Sequence, residues 1–358
     1  MDTLTISDLV GSSQYEAVAD DSLKDEDNVA WVMVLEPPIR DEWIERISWI
    51  RLVDRLAENE LFDTNSSEFQ KVYIGWQRLL HQGRVEPDCA HREVLTGIRN
   101  RWFGQPSTGS DRLPIQAWAR FLEATARYHQ PHLVIERFAD HQKMLEELSG
   151  SCFQTLPFLT EKYWQSTCAF GALDQFFNNL RDMREDAQQG ICYLPTELLN
   201  HFGVSRDEIL NLVACQNPNY ARMMRFWLDD YLPTFRQKVD ELLIADDLHP
   251  SWRIWRDWSF YRYHRIERVF RRCNFDYVQF PAVYWAEVRR DLPLLLSQVC
   301  REHCPAPITT SHQSLQSEEE FAVPSILLEI SDKAVRVVEM VLSLFQWQTG
   351  DRIGLSEA

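Results

Sequence analysis

Between Asn178 and Asp186 an oxygen-bearing side chain returns at every fourth position: Asn178, Asp182 and Asp186, in the run NNLRDMREDAQQGICYLPTELLNHFGV. On a helix, residues four apart stand above one another on one face, so this spacing commits the segment to a helical carboxylate ladder. Hard cations such as Mg²⁺ take oxygen ligands and leave positions for water and substrate phosphates. The ladder therefore suggests a Mg²⁺–diphosphate site. By itself it is more often the pattern of a solvated acidic face, with Arg181 and Arg184 available to pair with the acids.

A second ladder changes the balance. From Arg40 onward Ile44, Ile47, Arg51, Asp54 and Glu58 recur at helical spacing, so an apolar stripe runs directly into two acids. Two ladders facing each other across a cavity can hold a metal cluster that neutralises a diphosphate leaving group. The rest of the chain reads as helix as well, in segments around 114–128, 131–148, 158–186, 196–202, 206–214, 218–245, 252–273 and 281–302. No strand-like alternation or internal repeat persists. Only 12 Gly occur in 358 residues, and neither GxGxxG nor GxxxxGK[ST] is present. The expected fold class is all-α. Residues 1–28 read as a disordered acidic lead-in, 29–304 as the catalytic body, the Pro/Ser/Thr/Gln-rich stretch 305–320 as a linker, and 321–358 as a closing helix and tail. The apolar stripe of that helix (Leu327, Ile330, Ala334, Val337, Val341, Leu344) is expected against the body or against a second copy in a homodimer.

A net charge of −17 works against binding nucleic acid or an anionic membrane surface. No apolar stretch is long enough to span a membrane. The first 28 residues lack the apolar core of a secretory signal, and the eight cysteines are scattered, so reduced thiols in a cytoplasm are expected. The 13 Trp, 19 Phe and 11 Tyr are ample for a large core or an apolar cavity.

With these residues in view, the chain resembles the squalene/phytoene synthase family. NNLRDMRED followed by Gly190 and Tyr193-Leu194-Pro195 is similar to that family's second aspartate-rich motif. Arg51 through Asp54 to Glu58 resembles the first, and Tyr263-His264-Arg265-Ile266 through Asn274-Phe275-Asp276 resembles a downstream helix and turn. The resemblance implies an isoprenoid-synthase helical bundle around a central apolar cavity. It implies Mg²⁺ held by Asp54 and Glu58 on one wall and by Asn178, Asp182 and Asp186 on the other. Arg51, Arg181, Asn178 and Glu185 are then substrate-binding residues at the diphosphate, with Tyr263 projecting toward it and acting with Asp54, Asp182 and Asp186 in catalysis.

The departures matter too. Glu58 stands where the family has Asp, Glu26-Asp27-Asn28 where it has Arg-Ser-Phe, Ile191 where it has the Arg of its second motif, Ser151 where it has a tyrosine, and Phe280 where it has a basic residue. Metal ligands are kept while cations are shed. The reading is therefore a prenyltransferase that ionises one allylic prenyl diphosphate, of dimethylallyl to farnesyl length, and alkylates an uncharged, electron-rich aromatic small molecule. Head-to-head squalene or phytoene synthesis, a terpene cyclase, and a non-catalytic synthase-like assembly factor are the alternatives; retention of Asn178, Asp182, Glu185 and Asp186 argues against the last. Other polar clusters are read blandly. Cys300 to Cys304 lacks enough ligands for zinc, Asp229-Asp230 and Asp246-Asp247 are helix-end or loop charges, and His129, His132 and His141 belong to helix surfaces. The basic-aromatic stripe Tyr261 to Arg272 either receives a diphosphate or pairs outward with surface acids.

Overall fold

The computed structural model describes residues 21–62, 66–103, 112–130 and 132–303. Every regular element among them is helical: α1 (Asp21–Val29), α2 (Pro37–Phe62), α3 (Glu68–Gln82), α4 (Arg92–Trp102), α5 (Arg112–Tyr128), α6 (Phe138–Leu145), α7 (Trp164–Arg181), α8 (Met183–Gln188), α9 (Thr196–Phe202), α10 (Arg206–Leu210), α11 (Tyr220–Phe226), α12 (Leu232–Leu243), α13 (Pro250–Arg272) and α14 (Phe280–His303). Helices α3 and α4 fall outside the helical segments expected from the sequence. The boundaries elsewhere follow the apolar periodicity to within a turn or two, which is the ordinary resolution of such patterns.

The described residues divide into two compact units, 41–280 and 21–40 with 281–303. In the latter, α1 begins at Asp21, inside the segment read as a lead-in. Asp27 is buried and its carboxylate accepts a 2.6 Å hydrogen bond from the hydroxyl of Tyr284. The linker and closing helix, and with them the stripe considered for a homodimer, lie outside the described residues.

In the 41–280 unit α7 is buried on every side, by Thr167, Phe170, Leu173, Phe176, Phe177 and Leu180 among others. A helix apolar all round belongs at the centre, and α7 packs against α6, α12 and α13. Where α6 ends, a π-helical turn, Glu146–Gly150, carries the chain into a last helical turn at Ser151–Phe153. This turn lies against α7 so tightly that a Cβ on Gly171 would sit 2.3 Å from the carbonyl oxygen of Ser149. Two small residues, Gly150 and Gly171, thus let the backbones meet and fix the height of α7 in the bundle.

Candidate active site

The ladder on α7 survives a local break. Helix α7 stops at Arg181, and Asp182 has φ −96° and ψ 5° before α8 begins. The backbone N–H of Asp182 nevertheless donates to the carbonyl of Asn178, and that of Asp186 to the carbonyl of Asp182, each at 2.9 Å. The four-residue register is therefore unbroken and Asn178, Asp182 and Asp186 stay stacked. Gly190, at φ +77°, then ends α8: the N–H of Ile191 reaches back to the Asp186 carbonyl at 2.8 Å, a left-handed termination that glycine adopts without strain. This reversal returns Tyr193 to the neighbourhood of Asp186, beside which it lines a small cavity.

Tyr193 reports on both ladders. Its hydroxyl is pushed well above the ordinary tyrosine range, first by burial and then by the negative charges of Asp186, Glu58, Asp182 and Asp54. Acids of α2 and acids of the α7–α8 segment therefore lie within electrostatic reach of one phenol. On α2, Asp54 is half-buried and Glu58 exposed. Burial, then repulsion from Glu58, raises the Asp54 carboxyl to about 7, with Arg51 opposing. Cys152, at the end of the helical extension of α6, is also raised by burial and by the charges of Asp54 and Asp174, so α2, α6 and α7 converge there.

The donor set suits a hard cation. It is all oxygen, and one member is conspicuous: Oδ1 of Asn178 is buried and accepts no hydrogen bond. Buried carbonyl oxygens normally find a partner. Among the described residues no three carboxylate, imidazole or thiol groups crowd together into a ready-made cage. Mg²⁺ does not require one, since one or two carboxylates complemented by water and substrate phosphates usually hold it.

The remaining candidates separate cleanly. Arg181 is buried and grips the carboxylate of its neighbour Asp182 through Nε at 2.8 Å and Nη2 at 2.7 Å, while Nη1 of Arg184 donates to the Val278 carbonyl at 3.1 Å. Glu185 is half-buried on α8. Tyr263 does not present its hydroxyl to open space. It donates to Oδ1 of Asp174 at 2.7 Å, and its ring stacks on Phe177 with centroids 4.6 Å apart. Arg262 forms a buried ion pair with the same carboxylate, so the basic stripe splits, with Arg262 turned inward and Arg271 paired outward with Asp229 and Glu267. Asp174 was legible in principle, since it extends the ladder one turn back from Asn178, but no motif singled it out.

His141 is a correction: expected on a helix surface, it is buried, its Nδ1 is 3.1 Å from the hydroxyl of Tyr231, its ring lies against Trp227, and desolvation lowers its pKa to about 3. The imidazole fills a gap among rings that a charged group could not. It borders a cavity of about 20 Å³ that also meets Asn179, Asp186 and Tyr193. Ser151 is buried and donates to the carbonyls of Glu147 and Leu148; Phe280 packs edge-on against Phe270 at 5.3 Å. Beneath the ladders, rings meet rings: Phe153, Phe170, Trp43 and Trp252 all lie within 4.5–5.3 Å of Trp255.

The model of squalene/phytoene synthases matches residues 24–288. A 15-cis-phytoene synthase of Synechococcus elongatus is 34% identical over 91 residues, 25% of this chain and 29% of that enzyme, so the match spans less than a third of the relative's length. A dehydrosqualene synthase crystal structure superposes with a TM-score of 0.51 at 16% identity, covering 76% of this chain and 96% of that one; that likeness is one of fold. A squalene synthase, HpnC of Alicyclobacillus acidocaldarius, gives a TM-score of 0.39 at 16% identity over 69% of this chain and 99% of its own. Among the described residues no helix is long and apolar enough to cross a membrane.

Proposed function

The chain belongs to the squalene/phytoene synthase family, and on that premise we propose that it is a Mg²⁺-dependent prenyltransferase acting on an allylic prenyl diphosphate. The observation that supports this reading is that Asp54 and Glu58 of one ladder and Asp182 and Asp186 of the other all act electrostatically on the Tyr193 phenol. Asp54, Glu58, Asn178, Asp182 and Asp186 are the residues that would hold Mg²⁺. When bound, the cation neutralises charge on the leaving diphosphate. Arg181 fixes the orientation of the Asp182 carboxylate, and Arg51 adds positive charge beside Asp54. The allylic C–O bond breaks with its electron pair passing to the diphosphate. The carbocation left behind needs a dry, electron-rich surround, for which the mutually packed rings of Phe170, Phe177, Trp255 and Tyr263 are the candidates.

The acceptor in this proposal is an uncharged aromatic small molecule. Support comes from positions where the family has cations: Ile191 borders the small apolar cavity and Phe280 packs on Phe270. A second diphosphate would lack the charge those cations provide. The ring's π electrons form the new C–C bond, and the ring proton passes to the departing diphosphate beside it. The local identity to a phytoene synthase favours the second reading, head-to-head coupling of two prenyl diphosphates. Incubation with Mg²⁺ and geranyl, farnesyl or geranylgeranyl diphosphate decides between them. Squalene or phytoene formed from diphosphate alone overturns the aromatic acceptor. Diphosphate release that requires an added phenol or indole, and stops in EDTA, supports it.

A further inference from the structure

We infer that Asp174 is a positioning residue that turns the amide of Asn178 so that its oxygen, rather than its nitrogen, faces the metal site. This rests on the Mg²⁺ reading proposed above. Asp174 is buried on α7, one helical turn before Asn178. Its Oδ1 takes the Tyr263 hydroxyl at 2.7 Å and the Arg262 guanidinium, and its Oδ2 accepts from Nδ2 of Asn178 at 2.9 Å.

The geometry leaves the amide no choice. An ionised carboxylate only accepts hydrogen bonds, so an asparagine facing it must present its NH₂ group. Oδ1 of Asn178 must then point away, and there it is buried and accepts nothing. A buried amide oxygen held without a partner is an unfavourable arrangement that a hard cation or its bound water would relieve. Were the amide reversed, its NH₂ would confront the cation and repel it. The carboxylate is itself kept in place from α13, where Tyr263 is clamped between Phe177 and Phe260, with ring centroids 4.6 and 5.4 Å away. Nothing in the motif that points to Asn178 identifies Asp174; the assignment comes from which oxygen bonds to what.

Mn²⁺ binding to the full chain, followed by electron paramagnetic resonance with and without inorganic pyrophosphate, tests this without relying on turnover. Asp174→Asn removes the acceptor-only constraint at constant size and is expected to weaken Mn²⁺ binding about tenfold, as loss of an outer-sphere partner typically does. Asn178→Asp has no amide to orient, so in the double variant Asp174→Asn/Asn178→Asp the lost affinity returns. That rescue separates orientation from general damage. Wild-type affinity in folded Asp174→Asn, or losses in the double variant that simply add, overturns the role. Should Asp174→Asn fail to fold, Asn178→Leu must by itself lose at least the same tenfold, and retained binding there overturns the role too. A wild-type chain that binds no Mn²⁺ under either condition defeats the metal reading as well.

Discussion

Helices α2 and α7 each carry two kinds of surface on one face, and the contrast lies along their axes rather than around them. On α2, Trp43 and Asp54 are eleven residues apart, nearly three whole turns and so in line, separated by roughly 16 Å of rise. On α7, Phe170, Asp174 and Asn178 stand in line over roughly 12 Å. At one end are carboxylates with a phenol within their electrostatic reach; at the other, four aromatic rings pack around Trp255. Such an axis matches a substrate that is ionic at its head and apolar along its tail. The acidic end is built with electrostatic tension, visible in the raised pKa of Asp54, whereas the aromatic end holds much of the unit's packing. Substitutions should therefore damage stability at one end and chemistry at the other.

The largest expected effect is at the aromatic end. Trp255→Ala should lower the unfolding free energy by about 3–5 kcal/mol, the range for emptying a buried tryptophan site. Chemical denaturation measures it. The same variant opens space among these rings, so preference should move from geranyl or farnesyl toward geranylgeranyl diphosphate. A folded variant with unchanged chain preference would break the head-to-tail assignment. Next comes Asp182→Ala, expected to cut kcat by about 10²–10³ with little loss of stability, as for removal of one group that stabilises developing charge. Steady-state kinetics beside a melting curve would expose the opposite pattern.

Between the two ends, Gly171→Ala pushes a methyl toward the Ser149 carbonyl. It should destabilise by about 1–3 kcal/mol and also slow turnover, because the height of α7 sets both the ring contacts and the ladder. The smallest effect is with pH. A proton on Asp54, whose pKa is about 7, competes with a cation, so apparent Mg²⁺ affinity should fall up to about tenfold per pH unit below 7 and level off above it. Without metal the sign reverses for stability: a carboxyl whose folded pKa is raised loses stability as pH climbs from about 4 to about 7. Calorimetry across that range, with Asp54→Asn as the flat control, checks both slopes.

The contrast between the ends also explains what the sequence made readable. The ladders were legible because four-residue spacing of acids has one structural meaning once the segment is helical, and helicity followed from periodicity and scarce glycine. Tyr193 could not be assigned, since its place near the carboxylates depends on the left-handed turn at Gly190. Asp174 looked like one more polar residue on α7, and only its partners on α13, nearly ninety residues on, give it meaning. His141 was misplaced because burial of a neutral imidazole depends on Trp227 and Tyr231, which sequence spacing does not bring near. The π-helical turn after α6 has no signature in residue pattern; Gly150 and Gly171 mark it only when seen against each other.

The central claim is that the two ladders act as one metal–diphosphate site, and pyrophosphate titration by calorimetry tests it most directly. Pyrophosphate should bind only with Mg²⁺ present, and Asp54→Ala and Asp182→Ala, on different helices, should each abolish that binding. Binding that ignores Mg²⁺, or that survives loss of the α2 carboxylate while vanishing with Asp182, would contradict that claim.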